Sequence, residues 1–203
     1  YPMYADIIEA PPDTIAEQYA LSIDYGTQNA FAALLWGRYG DVWYAVDGYY
    51  YSGRETGVQK TDEEYGKDLD DWLTGFIPQG AEKNQTDFKF LRSGEVLKTI
   101  IDPSAASFIA LLRKKRYYRV IPADNAVLDG IRETASCMHR KIIKVNPKIK
   151  EWRAEAEGYV WDESPVEDRP IKVNDHYMDG MRYFVKTSRI AIHKSKYTPI
   201  WNV

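Results

Sequence analysis

Three aspartates and a histidine stand where a coarse reading of the chain lets their types and spacing do chemistry. Asp24 lies inside the apolar run YALSIDYG, flanked by Leu21 and Ile23. Asp102 closes VLKTIID, directly before Pro103. Asp179 follows His176 by three residues near the chain's end, so on a helix the two share a face. An acid within a strand is disfavoured by propensity, so each position invites a reason. The chemistry such a set can serve is two-metal phosphodiester hydrolysis, in which Mg2+ or Mn2+ ions about 3.5–4 Å apart clamp the attacking and leaving oxygens. Hard divalent ions take carboxylate oxygens and water rather than thiolates. A mid-strand aspartate such as Asp24 offers the rigid position a bridging ligand needs, with Asp102 and Asp179 entering from a strand end and a helix. His176 could ligate Mn2+, orient the attacking water or protonate the leaving group.

Each residue alone has a plainer reading. Asp24 with Tyr25, Gly26 and Thr27 reads also as a strand-end turn. Asp102-Pro103-Ser104 reads as a helix cap or an Asp-Pro turn. Asp175 and Asp179 sit in first helical turns, where the macrodipole favours acids. Their joint placement on a strand, a strand end and a late helix raises the catalytic reading.

Positioning these groups falls to a regular series of elements. YALSIDYG, AFAALLWGRYG and DVWYAVDGYYYSG are three strands with short connections, the last two joined at Tyr39-Gly40-Asp41, which implies an antiparallel meander. TDEEYGKDLDDWLTGFI is a helix with Thr61 as N-cap and Glu64 three residues on, a capping box. Residues 78–95 are polar and loop-like, with a short strand or hairpin expected around Phe88 to Leu91 and a loop gating the substrate groove as one role for the segment. Beyond them alternate the strand VLKTIID, a helix from Ser104, the strand YYRVIPA, an amphipathic helix AVLDGIRETASCMHR, the strand IIKVN and a helix starting at Pro147. The last helix is VNDHYMDGMRYFVKTS, with Asn174 or Asp175 as N-cap. This order predicts an α/β fold with a mixed central sheet, an antiparallel three-strand meander plus parallel strands, flanked by helices on both faces.

Composition bounds the rest. A chain of 203 residues suffices for one domain with a sizeable core, and 44% hydrophobic with 28% charged residues is ordinary for a globular protein. No apolar run approaches the roughly 20 residues of a membrane span. The single cysteine, Cys137, excludes an internal disulfide and a Cys-rich zinc site. The start at Tyr1, with no signal pattern, suggests a piece of a longer protein. A net charge of −3 gives no global basic signature. Local basic clusters, Arg113 to Arg116 and Arg140, Lys141, Lys144, Lys148 and Lys150, read either as a phosphate-contacting surface or as solvated helix ends. Trp36, Trp43, Trp72, Trp152 and Trp161 read as core packing, and His139 and His193 receive no role.

Local words in matched order carry a resemblance. LSIDYGTQNAFAALLWG, TIIDPSAASFIALLRKKRY and the closing EAEGYVWDESPVEDRPIKVNDHYMDGMRYFV resemble the nuclease domain of the tailed-bacteriophage terminase large subunit, which has a ribonuclease H-like fold. The similarity runs from about Tyr19 to Lys186. It implies that Asp24, Asp102 and Asp179 are metal ligands and that His176 is an auxiliary ligand or acid/base residue, with Asp175 ranked below them. Gly180 departs from the alanine usual after the last aspartate. The resemblance further implies a metal-dependent endonuclease, using Mg2+ or Mn2+ and two ions, that cuts concatemeric double-stranded phage DNA during packaging with little sequence preference. Residues 1–17 would be a linker or docking segment from an upstream ATPase domain, and 18–203 the nuclease domain. Terminase small subunit and portal protein would be partners, no membrane is implied, and the work would be done in the host cytoplasm, transiently at the procapsid portal.

Three other readings share some of these features. A junction-resolvase-like or transposase-like nuclease would use the same ions and fold. An actin-like or sugar-kinase ATPase also carries D-x-G-T, as at Asp24 to Thr27, but needs a second subdomain and phosphate loop that the chain lacks. A non-catalytic DNA- or portal-docking module would keep the acids for structure, with Tyr49, Tyr50 and Tyr51 as an interaction surface or simply a strand face.

Overall fold

The structure is a computed structural model that describes residues 3–26, 29–78, 81, 96–159 and 174–191. Strands β1 (Gln18–Asp24), β2 (Ala30–Tyr39) and β3 (Val42–Ser52) form the antiparallel meander that their short connections predict. Gly40, at φ 61°, supplies the left-handed backbone of the β2–β3 turn. β4 (Leu97–Ile101) pairs parallel with β1, and β5 (Tyr118–Pro122) pairs parallel with β4. β6 (Ile143–Val145) pairs parallel with β3 at the other edge. The six-stranded order is β5-β4-β1-β2-β3-β6, the expected mixed sheet, with β1 near its middle and its C-terminal end beside that of β4.

Helices cover both faces, as expected. Between β3 and β4 lie a short α1 (Gly53–Thr56), unforeseen in the sequence, and α2 (Asp62–Gly75). The Thr61–Glu64 capping box forms in full and starts α2 where it should. α3 (Ala106–Lys114) joins α2 on one face, where Phe31 stacks on Tyr65 at 4.7 Å and meets Phe108 edge-on. α4 (Val127–His139), α5 (Lys150–Gly158) and α6 (His176–Ser188) cover the other face. α5 begins three residues later than the proline signal suggested. Trp36, Trp43 and Trp152 are buried and Trp72 is half-buried, while Trp161 lies outside the described residues. So do nearly all of residues 78–95, with the strand and gate expected there, and His193. His139 ends α4, exposed. Among the described residues no helix is long and apolar enough to cross a membrane.

Strand parity decides what faces what. Ala20, Ala32, Leu34, Trp36 and Ile100 point toward α4, α5 and α6, whereas Leu21, Ile23, Phe31 and Leu35 point toward α2 and α3. Asp24 shares the parity of Ala20 and Ser22, which puts it beneath α6. α6 is buried on most of its surface, and Phe184 stacks on Trp36 with ring centroids 4.2 Å apart. The segment before β1 also docks: Ile7 is fully buried, Ile8 bridges Val145, and Glu9 pairs with Lys144.

Two glycines gauge how closely α6 is packed. A Cβ at Gly180 would lie 3.8 Å from Ser22 Oγ and 4.0 Å from the Asp24 nitrogen, ordinary contact distances. A Cβ at Gly130 of α4 would meet Arg182 Cγ at 2.6 Å. Gly180→Ala should therefore stabilise the fold by about 0.5–1 kcal/mol through helix propensity, whereas Gly130→Ala should destabilise it. Urea unfolding of the two variants beside the parent checks the opposite signs, and a destabilised Gly180→Ala would refute the packing described for α6 on β1.

Candidate functional site

The C-terminal ends of β1 and β4 lie side by side, and in parallel sheets that end is where ligands are commonly bound. Asp24 is the last residue of β1, and Asp102 follows β4 directly. α6 crosses this end with its N-terminus, bringing His176 in its first turn and Asp179 one turn on. All four residues predicted from sequence line one cavity of about 430 Å³, together with the lower-ranked Asp175. Sequence reasoning missed other residues of its wall: Asn29, Arg54, Glu55 and Tyr183. Arg54 and Glu55 lie on α1, which no periodicity announced; Tyr183, one turn past Asp179, could have been placed by helical spacing.

Each acid has its own partner. His176 donates from Nδ1 to Asp24 Oδ2 at 2.8 Å, and both side chains are mostly buried, at 14% and 17% exposed. Burial pushes the Asp24 pKa up, and the nearby charges of Asp179 and Asp175 add to it against the pull of His176. Burial pulls the His176 pKa down, but the hydrogen bond to Asp24 and the charges of Asp24, Glu155 and Asp175 outweigh it and raise the value. Asp102 Oδ1 accepts from the Ser104 backbone at 2.8 Å, and its Oδ2 accepts from Tyr183 Oη at 3.1 Å and Asn125 Nδ2 at 3.3 Å. Burial alone would raise the Asp102 pKa; these hydrogen bonds reverse that and hold it below its ordinary value.

Asp179 turns one oxygen toward Arg182, whose Nη2 and Nε reach Oδ1 at 2.9 and 3.2 Å. Arg182 is itself buried at 2% exposed, and its Nη1 donates to the Asn125 carbonyl, tying α6 to the start of α4. The i,i+3 spacing of Asp179 and Arg182 was a readable signal for this pair. Glu155 of α5 gave none. It is buried, and its Oε2 accepts from the backbone nitrogens of Tyr177 at 2.6 Å and Met178 at 3.2 Å. Burial pushes its carboxyl up to about 8, against the pull of those two donors and His176. Asp175 occupies the expected N-cap position of α6, but its side chain makes no capping bond.

The donor set, three carboxylates and an imidazole in one cavity, suits a hard divalent cation in kind and in place. The mutual repulsion that lifts Asp24 is relieved by such a charge. As the side chains stand, no group of three or more His, Cys, Asp or Glu among the described residues is gathered closely enough to hold an ion. Their oxygens are turned toward Arg182, Tyr183, Asn125 and His176 instead. Part of the basic clusters lies elsewhere: α3 and α4 begin at the cavity end of the sheet and finish at the opposite end, carrying Arg113 to Arg116 and Arg140 to Lys141 there, while Lys148 and Lys150 follow the C-terminal end of β6. Lys115, Lys144 and Lys148 are paired with Asp70, Glu9 and Asp47.

No protein-family model matches the chain, and no curated protein matches it. Solved structures do. The large terminase of the thermophilic bacteriophage D6E in complex with ADP is 42% identical, with a TM-score of 0.77 over 90% of this chain and 42% of that one. This chain thus spans less than half the length of that relative. The isolated nuclease domain of the P22 large terminase matches at 16% identity and a TM-score of 0.60, over 92% of this chain and 90% of that one. The nuclease domain of the bacteriophage SPP1 large terminase with bound Mn matches at 15% identity and a TM-score of 0.52, over 90% and 97%. The last two show a shared fold.

The Asp24–His176 contact is testable without metal. In EDTA, the His176 imidazole should titrate above its ordinary value of about 6.5, and Asp24→Asn should bring that titration down. Because the folded value is raised, the stability His176 contributes should be complete below about pH 6.5 and should be lost as pH rises through the folded value. Side-chain NMR across pH reads this directly, and an unmoved His176 titration in Asp24→Asn would exclude the contact.

Proposed function

Because this chain belongs to the large-terminase family of bacteriophages and matches the stretch that P22 and SPP1 terminases fold as separate nuclease domains, we propose that it is a metal-dependent endodeoxyribonuclease. Its ribonuclease H-like sheet, a meander extended by parallel strands, carries the site at the C-terminal ends of β1 and β4. The observation that carries the proposal is the convergence of Asp24, Asp102, and the pair His176 and Asp179, from three places in the sequence, on one polar cavity. The substrate is concatemeric double-stranded phage DNA, cut into genome lengths during packaging with contacts dominated by the backbone.

Asp24, Asp102, Asp179 and His176 are the groups that would hold the metal, Mg2+ or Mn2+ and in the fuller form of the proposal two ions. Bound there, the ions supply neutralisation of the scissile phosphate and a water acidic enough to attack near neutral pH. The protein's residues do the rest. Asp24, at the end of a central strand, fixes the site on the sheet. Arg182 holds Asp179 at one oxygen and leaves the other facing the cavity's polar groups. Tyr183 and Asn125 orient Asp102. His176, anchored through Nδ1, has Nε2 left for one of two roles, auxiliary ligand to the metal or holder of a proton at the attacking water or the leaving oxygen. Arg54, a cavity-lining cation on exposed α1, is placed to meet a phosphate oxygen at the rim.

The same reading places the protein in a larger machine. Residues 1–17 are the linker or docking segment to an upstream ATPase domain, and 18–203 are the nuclease. The D6E relative, more than twice this length, was solved in complex with ADP, in line with a nucleotide-binding part in the longer protein. The terminase small subunit and portal protein are the proposed partners, and the host cytoplasm, transiently the procapsid portal, is the proposed location.

Supercoiled plasmid incubated with the purified chain should be nicked and linearised with Mn2+ or Mg2+, and left intact in EDTA. Asp24→Ala and Asp179→Ala should each lose cleavage by orders of magnitude while keeping their fold by circular dichroism. Plasmid left intact by the unaltered chain with every ion, while DNA binding persists, would turn the reading to a docking module.

A further inference from the structure

α6 needs its first turn held still, since that turn carries His176 and the next carries Asp179. The first N–H groups of a helix have no partner within it. A local cap is the usual solution, yet Asp175 at the N-cap position of α6 makes no side-chain capping bond. The N–H groups of Tyr177 and Met178 are met from another helix, by Glu155 Oε2 of α5. These two bonds tie α5 directly to α6.

The tie is chemically specific. Glu155 is 5% exposed, and its other oxygen, Oε1, is buried with no hydrogen-bond partner among the described residues. A carboxylate so placed carries a desolvation cost that an apolar residue of the same volume would not. What it returns is a pair of hydrogen bonds that satisfy the Tyr177 and Met178 N–H groups at the start of α6. Trp152 and Ala156, buried on the same helix, already pack α5 against the core without it. The carboxylate adds direction: it fixes how far and at what angle the start of α6 stands from α5.

We propose that Glu155 is a positioning residue of the site, an N-cap supplied by a neighbouring helix that sets the first turn of α6 and through it His176 and Asp179 at the cavity. The inference rests on the metal-dependent reading above, because those two side chains matter through the ion they hold. Glu155 itself does not line the cavity and touches no substrate. Its role is orientation of ligands from behind, where loss of such partners commonly weakens metal affinity by about 10–100-fold.

The test measures Mn2+ affinity from the free-ion EPR signal, beside plasmid cleavage and thermal unfolding, in the full chain. Glu155→Gln keeps an acceptor for both N–H groups and should hold Mn2+ within about threefold of the parent; Glu155→Ala should weaken it by about tenfold or more. Leu73→Ala, in the core on the opposite face of the sheet, supplies a destabilised comparison that should leave Mn2+ affinity unchanged. Should Glu155→Ala fail to fold, Glu155→Asp, one methylene shorter, should show the same direction of loss. Parent-like Mn2+ affinity in Glu155→Ala or Glu155→Asp overturns the proposal, as does an equal loss in Leu73→Ala. A parent chain that binds Mn2+ but leaves plasmid intact defeats the nuclease reading alone, and the Mn2+ titrations of the variants still decide Glu155.

Discussion

Like charges gathered in a half-buried cavity repel, and this protein assembles Asp24, Asp102, Asp175 and Asp179 around one. The architecture around them supplies separate counterweights. Asp24 is balanced by an imidazole, Asp102 by a phenol, an amide and a backbone N–H, and Asp179 by a guanidinium. Three of these groups (His176, Arg182 and Tyr183) come from α6, so the helix that adds a charge to the cavity also brings most of what restrains the others. This is why α6 must sit flat on β1, where Gly180 faces Ser22 and the Asp24 backbone with room for a methyl group.

Depth of burial separates these counterweights into fixed and exchangeable. Arg182 is almost wholly enclosed, bonded to Asn125 as well as Asp179, and its departure would leave a buried charge unmatched. It is a permanent member of the site. His176 is held only through Asp24 and lies at the cavity wall, so its Nδ1 bond can be traded for another cation at Asp24 at smaller cost. Asp102 is intermediate, because its three donors are neutral. A cation arriving in the cavity therefore competes chiefly with His176 and with the bonds to Asp102, not with Arg182.

Much of this was legible in the sequence, for local reasons. The meander followed from short connections and the Tyr39-Gly40-Asp41 turn, α2 from a capping box complete within four residues, and the strand position of Asp24 from the apolar run that holds Leu21 and Ile23. What was not legible depends on residues far apart in the chain. Glu155 reaches the α6 backbone from 22 residues away, and Arg182 reaches Asn125 across 57. Nothing in the pattern of either residue's neighbours encodes such a meeting. The N-cap of α6 shows the difference well: Asn174 and Asp175 have the right chemistry, but an acceptor from another helix meets the bonds they would have made. The cation clusters divide: Arg113 to Arg116 and Arg140 to Lys141 stand at helix ends on the far side of the sheet from the acids, in line with the solvated helix-end reading, while Lys144 is on β6 and Lys148 and Lys150 follow it.

The free oxygens carry the argument one step further. Among the described residues, Oδ1 of Asp24 and Oδ2 of Asp179 accept no hydrogen bond, while both oxygens of Asp102 are taken. Asp24 stands on β1 and Asp179 on α6, which the Trp36–Phe184 stack holds against the neighbouring β2 and Arg182 ties to the start of α4, so the separation of these two groups is set by core packing. Asp102, just past the end of β4, depends on a turn and on donors that can let go. The rigid pair therefore fixes where a cation can be received, and Asp102 is the member able to adjust to it. Protein interiors yield little to strain, so a site built as two fixed acids and one adaptable acid can be preorganised without holding all three charges together in advance.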